Sequence, residues 1–220
     1  MAQFFLNPYG EGKGQYIETD GISDSEELSN LVAKAARKGR FEEFSVEFID
    51  GTDEEADLWN AIRQDGYGGL DLFVRAVNDI LLTYNLAGVY FAILNHGITD
   101  LDEALHYAEN GGVREGTLED LAHEFVDEGI IDLGNYIDTD AIVYAMEVNG
   151  EFPEEFYDED GDLIVSKREL KDYVNELVES DPASWVNESS VDYDAIERDL
   201  GYDYSEFEFG GNTYTICTAQ

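Results

Sequence analysis

Acidic side chains outnumber Lys and Arg by 51 to 12 in this 220-residue chain, a formal charge of −39. Any fold it adopts must keep that charge on the outside, because an unpaired carboxylate taken into an apolar interior is strongly destabilising. Self-repulsion on this scale opposes compaction, and solubility needs only a fraction of it. The excess is not confined to a tail. Residues 1–110 contain 21 acids and 7 bases, and residues 111–220 contain 30 and 5. At the density of B-DNA, one charge per ~1.7 Å of axis, 39 charges would line about 66 Å, roughly twenty base pairs. The chain carries the charge of a DNA segment and would repel DNA itself.

A hydrophobic fraction of 43% with 13% aromatics supplies real cores and argues against a disordered acidic chain. The opening MAQFFLNPYGEGKG lacks the basic and apolar regions of a signal peptide. The longest apolar runs, 80–82 and 89–94, are far short of the ~20 residues that span a bilayer. No basic segment offers itself to anionic headgroups or to nucleic-acid phosphates, so neither a membrane nor a nucleic acid is an expected partner. The single Cys217 has no internal disulfide partner, which fits a reducing cytoplasm.

The expected fold class is α+β: a small N-terminal α/β domain (1–62), a helical middle (63–112) and an acidic α+β C-terminal domain (113–220) ending in a β-hairpin. Ser23-x-x-Glu26 reads as a capping box before Leu28, Leu31, Val32 and Ala35, with Gly39 as the stop and Lys34, Arg37 and Lys38 in the last turn. Phe44, Val46 and Phe48 alternate with Glu43, Ser45 and Glu47, a strand with one buried and one anionic face. From 52 to 128 the pattern is helical throughout. Thr52/Glu55, Thr99/Asp102 and Thr117/Asp120 open helices, and 70–84 and 86–94 read as buried. LEDLAHEFV (118–126) resembles LKDYVNELV (170–178), and IDTDAI (137–142) resembles VDYDAI (191–196). These matches suggest a helix–loop–helix unit used twice, 117–149 and 169–200. Residues 204–217 read as a hairpin turning at Gly210-Gly211-Asn212.

Candidate chemistry is sparse. Asp158, Asp160, Asp162, Ser166 and Glu169 fall at ligand positions of an EF-hand loop, but Leu163 occupies the place of the turn glycine. The same residues also read as a hairpin turning through Asp160-Gly161. A calcium-binding module at 158–169, with Asp158, Asp160, Asp162 and Glu169 as weak metal candidates, therefore stands beside the hairpin reading. His96, His106 and His123 show no ligand spacing, and the latter two read as partly buried helix residues. Cys217 reads as structural, and Gly10, Gly12 and Gly14 as a mobile loop. No catalytic residues and no cofactor are expected, so the chain reads as a non-enzyme. An acid-rich surface also suits a salt-adapted domain. Fourteen Tyr and twelve Phe exceed what solubility requires, and aromatics anchor protein interfaces.

Four blocks carry a family resemblance: EEFSVEFIDG (42–51), LNHGITDLDEA (94–104), LEDLAHEFVDE (118–128) and VDYDAIERDL (191–200) with the hairpin after it. In these the chain resembles the ArdA antirestriction proteins of plasmids, transposons and phages. The family's N-terminal pattern is poorly matched at 9–16, and roughly 137–190 is an extra stretch. The resemblance implies an elongated, modular homodimer in the cytoplasm of a bacterial host, whose carboxylates imitate DNA phosphates. Its partner would be a DNA-binding defence enzyme, above all the methyltransferase core of a type I restriction–modification complex. The carboxylates expected to meet that partner are Glu43, Glu47, Asp50, Asp53, Glu54, Asp57, Asp100, Asp102, Glu103, Glu115, Glu119, Asp120, Glu124, Asp127, Glu128, Asp192, Asp194, Glu197 and Asp199.

Overall fold

The computed structural model describes residues 2–219 except 23, 63–65, 81–82, 132 and 181–189, with the backbone alone at 79 and 84. The fold is α+β, with N-terminal strands, a helical middle and a C-terminal hairpin. The chain divides into two compact units, Met1–Leu118 with Asp203–Gln220, and Glu119–Tyr202. The C-terminal hairpin thus belongs with the first half of the sequence.

In the first unit β1 (Gln3–Pro8) is the middle strand of an antiparallel sheet, flanked by β2 (Gln15–Glu18) and β3 (Phe44–Asp50). Alternation sends Phe4, Leu6 and Ile17 inward, with Phe44, Val46 and Phe48 of β3 packed on the same core. Glu43 and Glu47 stay exposed, as the strand pattern predicts. Phe4 lies at the centre, edge-to-face with Phe48, Trp59 and Phe73 at centroid distances of 5.4, 4.9 and 5.1 Å.

Helix α1 (Ser25–Gly39) differs at both ends from expectation. Its N-cap is Asp24, whose carboxylate accepts from the amides of Glu26 and Glu27 at 2.9 and 2.8 Å. Ser23 lies outside the described residues. Gly39 is inside the helix rather than its stop, and the left-handed position falls on Arg40 at φ 59°. The reason is space. A Cβ at Gly39 would run into the Lys13 carbonyl and the Phe41 ring. Lys13 N–H bonds Gly39 O at 2.8 Å, so the glycine-rich stretch expected to be mobile is pinned to α1. Arg37 and Lys38 occupy the last turn, while Lys34 lies a turn earlier.

Helices α2 (Asp53–Ala61), α3 (Tyr67–Asp79), α4 (Thr83–His96) and α5 (Leu101–Gly111) follow. Thr52 and Glu55 form the expected capping box, Glu55 N–H to Thr52 Oγ1 at 3.2 Å and Thr52 N–H to Glu55 Oε2 at 2.8 Å. Within the run 70–84, α3 ends at Asp79 with Ile80 in extended backbone, and α4 begins at Thr83. The cap of α5 is Asp100 rather than Thr99, accepting from Glu103 N–H at 3.0 Å. A second sheet of order β4–β6–β5 interrupts the supposed helical run with β4 (Arg114–Glu115), joined to the hairpin β5 (Tyr204–Phe209) and β6 (Asn212–Cys217). Gly210 and Gly211 both have positive φ, 59° and 79°, as a tight two-residue hairpin turn demands.

The second unit is built from α6 (Leu118–Asp127), α7 (Thr139–Asn149), α8 (Lys167–Ser180) and α9 (Tyr193–Leu200). The two look-alike sequences take matching places. Ile137 and Val191 form an antiparallel bridge with each other, and Asp138 and Asp192 cap α7 and α9. Asp138 N–H bonds Ser190 O at 2.8 Å, and Asp192 N–H bonds Tyr136 O at 2.7 Å. The helices then pair crosswise. α7 packs on α8 through Ile142, Met146, Leu170 and Val174, and α6 meets α9 through Ala122 and Ile196.

Candidate anionic interface

None of the nineteen expected carboxylates is buried; Glu54, Asp57, Glu124, Glu197 and Asp199 are half-buried and the rest exposed. Charge thus stays at the surface at all nineteen positions, while Glu55, outside that set, is buried in its capping box. The Phe side chains are buried or half-buried, while Tyr9, Tyr16, Tyr67, Tyr144 and Tyr202 remain exposed. Among the described residues, the exposed Phe, Trp and Tyr side chains are these tyrosines.

In the first unit the acids of β3 and of the α2 N-terminus follow one another along the chain. Asp50 folds back on the Gly51 amide at 3.0 Å. Asp53 and Glu54 occupy the first turn of α2, where the helix dipole favours negative charge. Asp57 Oδ2 accepts from Gly210 N–H at 2.8 Å, and Glu54 lies where a Cβ on Gly210 would stand. Both are half-buried because they hold the β5–β6 turn. Asp100, Asp102 and Glu103 gather at the start of α5, and Glu115 is exposed on β4. Another acid of this unit, Glu206, accepts from Leu118 N–H at 2.9 Å.

In the second unit α6 buries Leu121, Ala122 and Phe125. Glu119, His123 and Asp127 follow one another at four-residue spacing on its outer side, with Asp120 and Glu128 also exposed. His123 is exposed rather than partly buried, its ring stacked on Tyr193 at 3.9 Å. His106 is likewise exposed, against Asn110 at 3.1 Å. On α9 Asp192 caps the Ala195 amide at 3.0 Å, and Asp194 is in the first turn. Asp199 accepts from the Tyr136 hydroxyl at 3.1 Å, a bond that helps push the Tyr136 phenol above its ordinary pKa. Asp199 also meets Arg198 at 3.3 Å.

The 158–169 segment takes the hairpin form. Tyr157 and Leu163 make an antiparallel bridge, with Gly161 at φ 86° in the turn. Asp158 Oδ1 accepts from the amides of Asp160 and Asp162 at 3.0 and 2.9 Å. Glu169 turns back to Ser166, accepting from its N–H and hydroxyl, both at 2.8 Å. The Ser166 amide, then its hydroxyl, hold the Glu169 carboxyl below the usual carboxylate range. Among the described residues no group of three or more His, Cys, Asp or Glu gathers where it could hold a metal ion. Nor is any helix among them long and apolar enough to cross a membrane.

Capping recurs among the acids of both units, and two of the nineteen expected carboxylates, Asp100 and Asp192, take part in it. Asp24, Asp100, Asp138 and Asp192 each hold helix amides with a side-chain oxygen, which fixes the carboxylate on a rigid element. Sequence reasoning passed over Tyr144 and Val148 on α7, which are 70% and 66% exposed. Their signal was present: Ala141, Tyr144, Ala145 and Val148 recur at helical spacing beside the buried Ile142, Val143 and Met146. Compared with family models, with curated proteins and with solved structures, the chain matches none.

Proposed function

We propose that the protein is a DNA-mimic inhibitor, which occupies the DNA-binding groove of a bacterial defence enzyme such as the methyltransferase core of a type I restriction–modification complex. The observation that carries this reading is the placement of charge: a −39 surplus in a folded chain, with none of the nineteen candidate carboxylates withdrawn into a core. Resemblance to the ArdA family in the four blocks supports the same conclusion and supplies the partner class.

The mechanism is competition. A groove built for phosphates presents Lys and Arg, and carboxylates held on helix N-termini and on β3 offer those cations an alternative ligand. Carboxylates already fixed by capping bonds lose little freedom on binding, so less of the interaction energy is spent on ordering. The uniformly negative chain also steers the encounter and accelerates association at low salt.

The deciding experiment is displacement of a labelled DNA duplex from a purified type I methyltransferase core by the full chain. Displacement is expected at stoichiometric protein in low salt, weakening steeply as salt rises. DNA that stays fully bound at saturating protein would remove the proposal.

A further inference from the structure

Helix α7 is apolar on two sides. One side, Ile142, Val143 and Met146, is buried against α8. The other, Ala141, Tyr144, Ala145 and Val148, covers an arc of about 100° at 100° per residue and contains the exposed Tyr144 and Val148. A single exposed apolar side chain is ordinary, but a four-residue stripe along one helix is not what a solvated face requires.

The unit contains its own comparison. α9 begins with the same sequence pattern 54 residues later, and there Arg198 and Asp199 stand at the places of Tyr144 and Ala145. The pairing of the two helix–loop–helix segments is therefore compatible with charge at these positions. In a chain with 29% charged residues, the apolar stripe on α7 needs another cause. Acids border it: Asp140, itself paired with Lys171 at 2.7 Å, and the exposed Glu147.

We infer that this stripe is a salt-insensitive anchor for the same basic partner, with the Tyr144 ring taking an arginine of its DNA-binding groove. The inference rests on the DNA-mimic reading and adds to it. A guanidinium stacks on a tyrosine face, its stem packs on apolar neighbours such as Ala145 and Val148, and the exposed Glu147 beside the stripe complements its charge. DNA has nothing equivalent on its phosphate backbone. The anchor gives the mimic an advantage over the ligand it displaces, and that advantage persists when salt screens the carboxylates.

The test uses the same labelled duplex and type I methyltransferase core, with inhibition measured across a series of sodium chloride concentrations. Tyr144→Ala and Val148→Ser are expected to weaken inhibition roughly tenfold at every salt concentration, leaving the slope of log affinity on log salt unchanged. Tyr144→Phe keeps the ring and is expected to behave as wild type. Ala145→Glu separates the anchor from charge alone. Added charge would strengthen a purely electrostatic mimic, whereas an occupied stripe makes the variant weaker. All these side chains lie outside the core, and circular dichroism of each variant checks that it is folded. Variants that match wild type, a shallower salt slope in Tyr144→Ala, or a stronger Ala145→Glu would overturn the anchor while leaving the inhibitor reading intact. Failure of the wild-type chain to displace DNA would remove both.

Discussion

Ile137 and Val191 face each other across an antiparallel bridge, so two similar sequences 54 residues apart meet at their own equivalent positions. The bridge sets the N-termini of α7 and α9 side by side, and the cross-packing of α6 on α9 follows from it. Ile196 is the most buried α9 residue in that packing, 1% exposed. Ile196→Ala should cost about 2–5 kcal/mol in the second unit. Hydrogen exchange is expected to lose protection in α6 and α9, while the β1–β3 sheet keeps its own.

Arg40 is the non-glycine residue with positive φ among the described residues. A glycine there relieves the left-handed strain, so Arg40→Gly should stabilise by a few tenths of a kcal/mol up to about 1 kcal/mol. Gly39→Ala should do the opposite, because its methyl group would collide with the Lys13 carbonyl. Thermal denaturation of the two variants should move the midpoint in opposite directions.

Asp57→Ala removes the acceptor of the Gly210 amide. A hydrogen bond to a charged group contributes about 1.5–3 kcal/mol, reduced here by partial exposure. Faster amide exchange at Gly210 and along the β5–β6 turn would show the loss.

The Glu169 carboxyl titrates below the usual carboxylate range in the folded chain. With the folded pKa depressed, its stabilisation is present above the unfolded pKa and disappears as pH falls through the folded one. Ser166→Ala should return the titration only part of the way, since the backbone N–H is the larger cause. An NMR pH titration of Glu169 in both proteins reads this directly.

Neutralising one carboxylate, for example Glu119→Gln, should change inhibition of the methyltransferase core only slightly. Neutralising Glu119, Asp120, Asp127 and Glu128 together should weaken inhibition at low salt and flatten its salt dependence. Equal slopes for wild type and the fourfold variant would contradict phosphate mimicry by α6.

Much of this architecture can be read from local pattern. The Thr52/Glu55 box, the alternation in β3 and the Gly210-Gly211 turn are decided by neighbours in sequence, and each is found where the pattern places it. Errors arise where distant chain decides. Gly39 looks like a helix stop until Lys13 comes across to it, and β4 is only two residues long, a strand solely because β6 pairs with it. Asp24 caps α1, and the α5 cap falls on Asp100 rather than Thr99, because either neighbour is chemically able to cap. The carboxylate surface was legible from composition. The apolar stripe at Ala141, Tyr144, Ala145 and Val148 left a signal in its spacing, but that spacing is shared with an ordinary core face, so sequence alone does not mark it as exposed.

The hydrogen bond from Gly210 to Asp57 joins residues 153 positions apart, and β4 awaits β6 in the same way. A ribosome therefore finishes the acidic Glu119–Tyr202 unit before it supplies the hairpin that completes the first one. At about 5–20 residues per second, the nascent first unit waits for several seconds with the place of β5 and β6 unfilled. Tyr90 and Phe91, which pack on Phe207 and Phe209 of the hairpin, lack those partners during that interval, and slowing translation across 119–202 would lengthen it.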